Sequence, residues 1–288
     1  MQQMRSTIRP GLGWAGMAAA ALLAATLSSA RAEEVPATMP PGAPTPASGE
    51  PLRVGIAPNY PPLAFEENGV LKGIEVDFAK RLGPALGRPI ELIRTKWENL
   101  GDKLAEKKID LIMSGTSITE ERKEKVNFTD PYLEVGQMVI VREQDFIALR
   151  DPKAMDRPAS RVGFVSRTTG EQWARKHLKK AKLHGYASTD EGIQALKDQQ
   201  IDFFIQDAPA VWRVTGGFMN ENQHLKGLYR PLTKEELAWA VPKDNPELLK
   251  QLNAVLKQWK KDGTLNEVLD KWITVRKTSI EVKPAHAQ

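Results

Sequence analysis

There is no cysteine anywhere in the chain. That absence excludes disulfides, thiolate zinc sites and cysteine nucleophiles. Histidine is scarce: His177, His184, His224 and His286 are the only four. None has the spacing of an H-E-x-x-H metal site, and the first two fall in strongly basic stretches where a solvated ring is the ordinary outcome. No metal or cofactor is expected. After residue 32 no apolar run approaches the roughly 20 residues that a membrane span needs.

A surplus of positive charge is also missing once the N-terminus is set aside. Arg5 and Arg9 form a basic start, Leu12–Leu27 is apolar and small, and Ala30-Arg31-Ala32 has the A-x-A form of a cleavage site, so residues 1–32 read as a secretory signal. An uncleaved anchor is the alternative; Pro10 and the small-residue run favour removal and a periplasmic mature protein. Three arginines leave with the signal and no acid does, so 41 basic residues fall to 38 against 36 acidic ones. Such a balance makes no case for nucleic acid. About 225 residues are left for folding after signal and tails, enough for one large or two small domains held by an ordinary apolar core.

What is there reads in order as follows. Residues 33–51 form a Pro- and Ala-rich leader without apolar periodicity, expected to be disordered. Leu52–Ile56 is a short strand, followed by a loop in which Pro58, Pro61 and Pro62 restrain Tyr60. Ile74, Phe78, Leu82 and Leu86 share one face of a helix, Ile90–Ile93 is a second strand, Trp97 opens another helix, and Ile109–Met113 is a third strand. This alternation predicts an α/β unit with a parallel sheet and a site at the carboxyl ends of its strands.

The third strand is expected to stop at Ser114-Gly115. There Gly115 admits a ligand close to the backbone, and Ser114, Thr116, Ser117 and Thr119 offer hydroxyls, with Thr119 capping a following helix. Arg122 lies in that helix's first turn, beside the positive end of its dipole, where a cation is disfavoured unless something anionic is bound. The plainer alternative is a wet surface pair with Glu120, Glu121 or Asp130.

The logic repeats after Gln137–Arg142. Arg161–Val165 is a strand leading to a second hydroxyl turn with Thr168 and Thr169, Asp190–Gln199 is helical, and Ile201–Ile205 is a strand ending at Asp207. Asp207 suits an N-cap and a ligand contact equally. Leu237–Val241 is one apolar strand more than this second part needs, and is expected to return to the first. Two helices, Leu248–Trp259 and Leu265–Trp272, and a polar tail at 276–288 complete the chain. The expected organisation is lobe 1 from 52–131 with 238–275, and lobe 2 from 137–232.

With these residues in hand, the chain resembles the periplasmic solute-binding proteins of amino-acid ABC importers, the extracellular solute-binding family 3. The resemblance runs from about Leu52 to Ile273 and is carried by Gly73-Ile74-Glu75-Val76-Asp77, Ile109–Gly115, Ile118–Arg122, Asn127–Tyr132 and Lys261-Asp262-Gly263-Thr264. It implies a two-lobed type II periplasmic binding fold with two hinge crossings. It further implies a monomer that takes a free amino acid and partners a membrane permease. By position, Arg122 corresponds to the clamp on the ligand α-carboxylate and Asp207 to the acid on the α-ammonium. Tyr60 and Trp97 correspond to the aromatic sandwich, Gly115 and Ser117 to main-chain and hydroxyl contacts, and Thr168 with Thr169 to carboxylate contacts of the second lobe.

Two positions depart from the family. Ala57 stands where many members have an acid, and Arg167 where glycine is common. A methyl group cannot neutralise a buried cationic side chain, so neutral polar or acidic amino acids are expected to bind better than basic ones, with Arg167 adding positive charge if it faces the ligand. Two other functions compete with transport. Periplasmic cyclohexadienyl dehydratases resemble the same fold, but their acid lies three residues after the position of Asp207, where this chain has Ala210. A transport-unlinked sensor or scaffold protein is the third possibility.

Overall fold

The computed structural model describes residues 49–216 and 224–273. The expected signal, most of the leader and the polar tail lie outside the described residues. The first half runs β1 (Leu52–Ile56), three short strands β2 (Asn59–Tyr60), β3 (Ala64–Glu67) and β4 (Val70–Lys72), α1 (Ile74–Leu86), β5 (Ile90–Arg94), α2 (Leu100–Ala105), β6 (Leu111–Ser117), α3 (Glu120–Lys125), β7 (Val126–Phe128) and β8 (Leu133–Val135). The chain then builds β9 (Gln137–Arg142), α4 (Phe146–Leu149), β10 (Arg161–Val165), α5 (Thr169–His177), β11 (Lys182–Tyr186), α6 (Thr189–Lys197), β12 (Phe203–Asp207), α7 (Ala208–Thr215) and β13 (Leu225–Leu228). It returns as β14 (Glu235–Pro242), α8 (Pro246–Asp262) and α9 (Thr264–Trp272).

Two large sheets result, each flanked by helices, as the two-lobed α/β expectation requires, and β2-β3-β4 form a small third sheet. The first has the order β5-β1-β6-β14-β7, with β8 also on β14, and the second β11-β10-β12-β9-β13. In each, three parallel strands come from local strand–helix–strand units, and the fourth runs antiparallel because it arrives from the far side of a crossing. The crossings are at Gly136 and between β13 and β14. Gly136 has no room for a side chain, since a Cβ would lie 2.2 Å from the Thr233 carbonyl oxygen.

The return of β14 also corrects one expectation. β6 does not stop at Ser114-Gly115 but continues to Ser117, because Leu237 and Ala238 pair with Ser117 and Thr116. Local sequence reads a hydroxyl turn there; a partner strand 120 residues away supplies the hydrogen bonds that keep it extended. Gly115, at φ +63°, absorbs the irregularity, and the ladder shifts register between Ala238 and Ala240.

The helix face foreseen for α1 packs as read, with Ile74, Phe78 and Leu82 fully buried. Phe78 sits among aromatic rings, stacked on Trp259 at 5.7 Å and edge-on to Tyr132 and Trp239 at 5.5 and 5.8 Å. Into the same region α1 sends a carboxylate, Glu75, which is completely buried. It accepts from the Gly115 N–H at 2.7 Å, the Tyr132 hydroxyl at 2.6 Å and Trp239 Nε1–H at 3.0 Å. Burial outweighs these three donors and pushes its pKa up to about 7.

The sign of the consequence follows by linkage. Between about pH 4.5 and 7 the folded chain keeps a proton on Glu75 that the unfolded chain has released, so this group's contribution to stability falls as pH rises. Relative to Glu75→Gln, the wild type should lose about 3 kcal/mol of unfolding free energy between pH 4.5 and 8. Urea titrations of both proteins across that range measure it, and parallel curves would refute the assignment.

Candidate functional site

The carboxyl ends of β1, β6, β10 and β12 face one another across a cleft between the two sheets. Its lining brings together Tyr60, Trp97, Ser114, Gly115, Ser117, Arg122, Thr168, Thr169 and Asp207 from the residues singled out in the sequence. Thr116 is not among them. Thr116 shares with Ile112 a separate recess behind α2, where its buried hydroxyl has no partner.

Arg122 is held as the local sequence foresees, with its N–H donating to the Thr119 hydroxyl at 3.2 Å as α3 begins. Its guanidinium pairs with none of the nearby acids. It donates to the Ser117 carbonyl at 2.8 Å and the Arg167 carbonyl at 3.5 Å, and lies over the Trp97 ring at 5.3 Å. Burial lowers its pKa from the ordinary value, against the opposing pull of Asp207 and Glu235. The surface-pair alternative is therefore not what the structure adopts.

Asp207 occupies the N-cap position of α7, but its side chain makes no capping hydrogen bond. The carboxylate turns instead toward the cleft and accepts from the Tyr60 hydroxyl and from Gln137 Nε2. Burial, followed by the neighbouring charge of Glu235, raises its pKa to about 6, while the hydrogen bonds and Arg122 act in the opposite direction. Tyr60 is pushed well above its usual range by burial and by Asp207. Gly115 is needed where Tyr60 crosses β6, because a Cβ there would lie 2.8 Å from the ring.

The hydroxyls of the second turn are already committed. Thr168 donates to the Val165 carbonyl at 2.7 Å and caps α5 through the Glu171 N–H; Thr169 donates to Glu235 at 2.8 Å. A ligand carboxylate placed here would have main-chain N–H groups at the start of α5 to meet rather than these two side chains. Arg167 does not line the cleft. At φ +61°, a conformation glycine adopts freely, its carbonyl faces Trp97 Nε1 at 3.2 Å while its guanidinium reaches the Glu98 carbonyl at 3.4 Å, on the recess side.

Sequence reasoning missed Glu235 and Gln137 altogether, and Asn59, Ser188, Thr189 and Gln206 in the cleft wall. Gln137 could have been found: it is the one polar side chain at the head of the apolar run Met138–Val141. Glu235 carries no such mark, since Glu236 beside it reads identically. Only Arg122 and Asp207 bring charge to the cleft lining among the described residues, and no group of three or more metal-ligating side chains is found there.

Known proteins share this architecture. The L-cystine-binding protein TcyJ of Escherichia coli is 30% identical over 222 residues, 77% of this chain and 82% of its own length. The cyclohexadienyl dehydratase of Pseudomonas aeruginosa is 31% identical over 158 residues, covering 54% of this chain and 59% of that enzyme. A binding component of an ABC transporter from Wolinella succinogenes, solved in complex with lysine, has a TM-score of 0.73 and 33% identity, covering 77% of this chain and 95% of that one. The chain belongs to the bacterial extracellular solute-binding proteins, family 3, whose sequence profile matches residues 52–275.

Proposed function

We propose that the mature protein captures a polar α-amino acid between its two lobes and delivers it to the membrane permease of an ABC transporter. The observation that carries this reading is the cleft's charge pattern: one cation, Arg122 from the first lobe, and one anion, Asp207 from the second, in a lining otherwise of hydroxyl, amide, aromatic and small apolar groups. A zwitterion satisfies both, and desolvation strengthens each contact. Export through the signal at 1–32, a periplasmic location and a monomeric state accompany this reading. Among the described residues no helix is long and apolar enough to cross a membrane.

Capture couples to closure because the lobes already touch through the binding residues. Trp97 and Arg122 donate to the Arg167 carbonyl, and Gln172 to Glu121 at 3.1 Å. Domain boundaries near 132–136 and 233–237 let these contacts form or part by rotation at two crossings. Ala57, Asn59, Ser188, Thr189 and Gln206 offer no further charge, so a neutral polar side chain fits better than a cationic one. The outward course of Arg167 withdraws the support it was expected to lend to acidic ligands. A dehydratase reading is weaker, since Ala210 is a buried methyl group in α7 and supplies no general acid. Turnover of a cyclohexadienol carboxylate by the purified protein would overturn this preference.

Calorimetric screening against the amino acids tests the proposal directly. Arg122→Ala should weaken the best ligand by about 2–5 kcal/mol with little change in unfolding temperature, and an unchanged Kd would sink the assignment. Asp207→Asn should weaken α-amino acids and spare analogues lacking the amine; equal loss for both would mark Asp207 as structural. Since an ammonium needs the ionised form of Asp207, whose pKa is about 6, wild-type affinity should fall about tenfold from pH 7.5 to 5. A flat profile would mean that Asp207 does not receive the amine.

A further inference from the structure

Glu235 sits at the start of β14, buried between the lobes, and does not line the cleft. Its partners come from three places. Ser117 of β6 donates its hydroxyl at 2.7 Å and Thr169 of α5 at 2.8 Å, both to Oε2, while Thr233 in the crossing donates at 2.6 Å to Oε1. No lysine, arginine or histidine is within ion-pair distance of it among the described residues. As a carboxylate it only accepts, so all three hydroxyls must point their single proton at it.

The consequence is felt on the other side of those hydroxyls, where Ser117 and Thr169 do line the cleft. With their protons spent on Glu235, they turn lone pairs toward the ligand. Thr169 gives one of its lone pairs to Gln137 Nε2 at 3.1 Å, and the other proton of the same amide goes to Asp207. We infer that Glu235 is a positioning residue that fixes Ser117 and Thr169 as acceptors beside Asp207, so that the part of the ligand held there must donate hydrogen bonds, as an ammonium group does. The inference deepens the proposed amino-acid capture and rests on it.

Glu235→Met tests this, because a side chain of similar length removes the acceptor and frees both hydroxyl protons to turn into the cleft. The variant should bind the best α-amino acid at least tenfold more weakly, while the matching carboxylic acid without the amine binds as it does to wild type. Glu235→Asp, which keeps a carboxylate, should recover part of the loss. Carbon-13 titration of the Asp207 carboxyl gives a second readout that mere hinge damage would not move. Arg122, Tyr60, Tyr132 and Glu235 are the charged or titratable groups acting on Asp207, and loss of Glu235 alone should lower its midpoint from about 6. Equal loss for both ligands, or unchanged affinity with an unchanged midpoint, overturns the inference.

A ligand-free measurement separates this inference from the function it rests on. Hydroxyl protons held in hydrogen bonds to a buried carboxylate exchange slowly, so the Ser117 and Thr169 hydroxyls should give distinct proton resonances in wild type that vanish in Glu235→Met. Their absence from wild type would overturn the inference even if amino acids bind. Should wild type bind no amino acid at all, the functional proposal fails, and the requirement for an ammonium group fails with it.

Discussion

The pairing of β14 with β6 is the constraint on which the rest depends. A strand that begins at Glu235 lies antiparallel against Leu111–Ser117 and completes the first sheet from the far end of the chain. Because it must come back, the chain crosses between lobes twice, and two crossings permit rotation while resisting a general drift apart. The same ladder keeps β6 extended through its hydroxyl residues. Without it, Ser117 and the carbonyl that receives Arg122 would have no fixed place.

Charge burial is organised around that strand. Glu75 and Glu235 each accept a hydrogen bond from the Gly115–Ser117 segment, each satisfied by neutral donors and neither by a cation. Neutral donors hold a carboxylate without cancelling its field, which leaves Arg122 and the ligand to balance what reaches the cleft. Asp207 shows the effect: Glu235 helps hold its proton more tightly than an ordinary aspartate would, and Arg122 loosens it.

Much of this was legible in the sequence because it is local. Strands such as Gln137–Arg142 and Arg161–Val165, the buried face of α1 and the awkward placement of Arg122 all follow from periodicity and helix-end electrostatics within a few residues. What escaped is long-range. β11 is an edge strand whose residues are mostly exposed, so it lacks alternation, and β13 spans only Leu225–Leu228. The end of β6 was misread because its partner lies more than a hundred positions away. Glu75 looks from sequence like an ordinary acid in a helix's first turn, and Glu235 like half of a solvated pair. Their roles come from which protons meet them in space.

One strand thus carries both Glu235, beside the cleft, and Trp239, whose indole N–H holds Glu75 under Gly115. A single-residue slip of β14 would send both side chains to the wrong face at once. Register therefore ties the two together: a shift of this strand disturbs the buried network and the cleft at once. Asn59 and Ser188 are under no such bond. They line the cleft from β2 and from the start of α6, outside that register, so a change of side chain there alters the cleft wall without touching the β14 ladder.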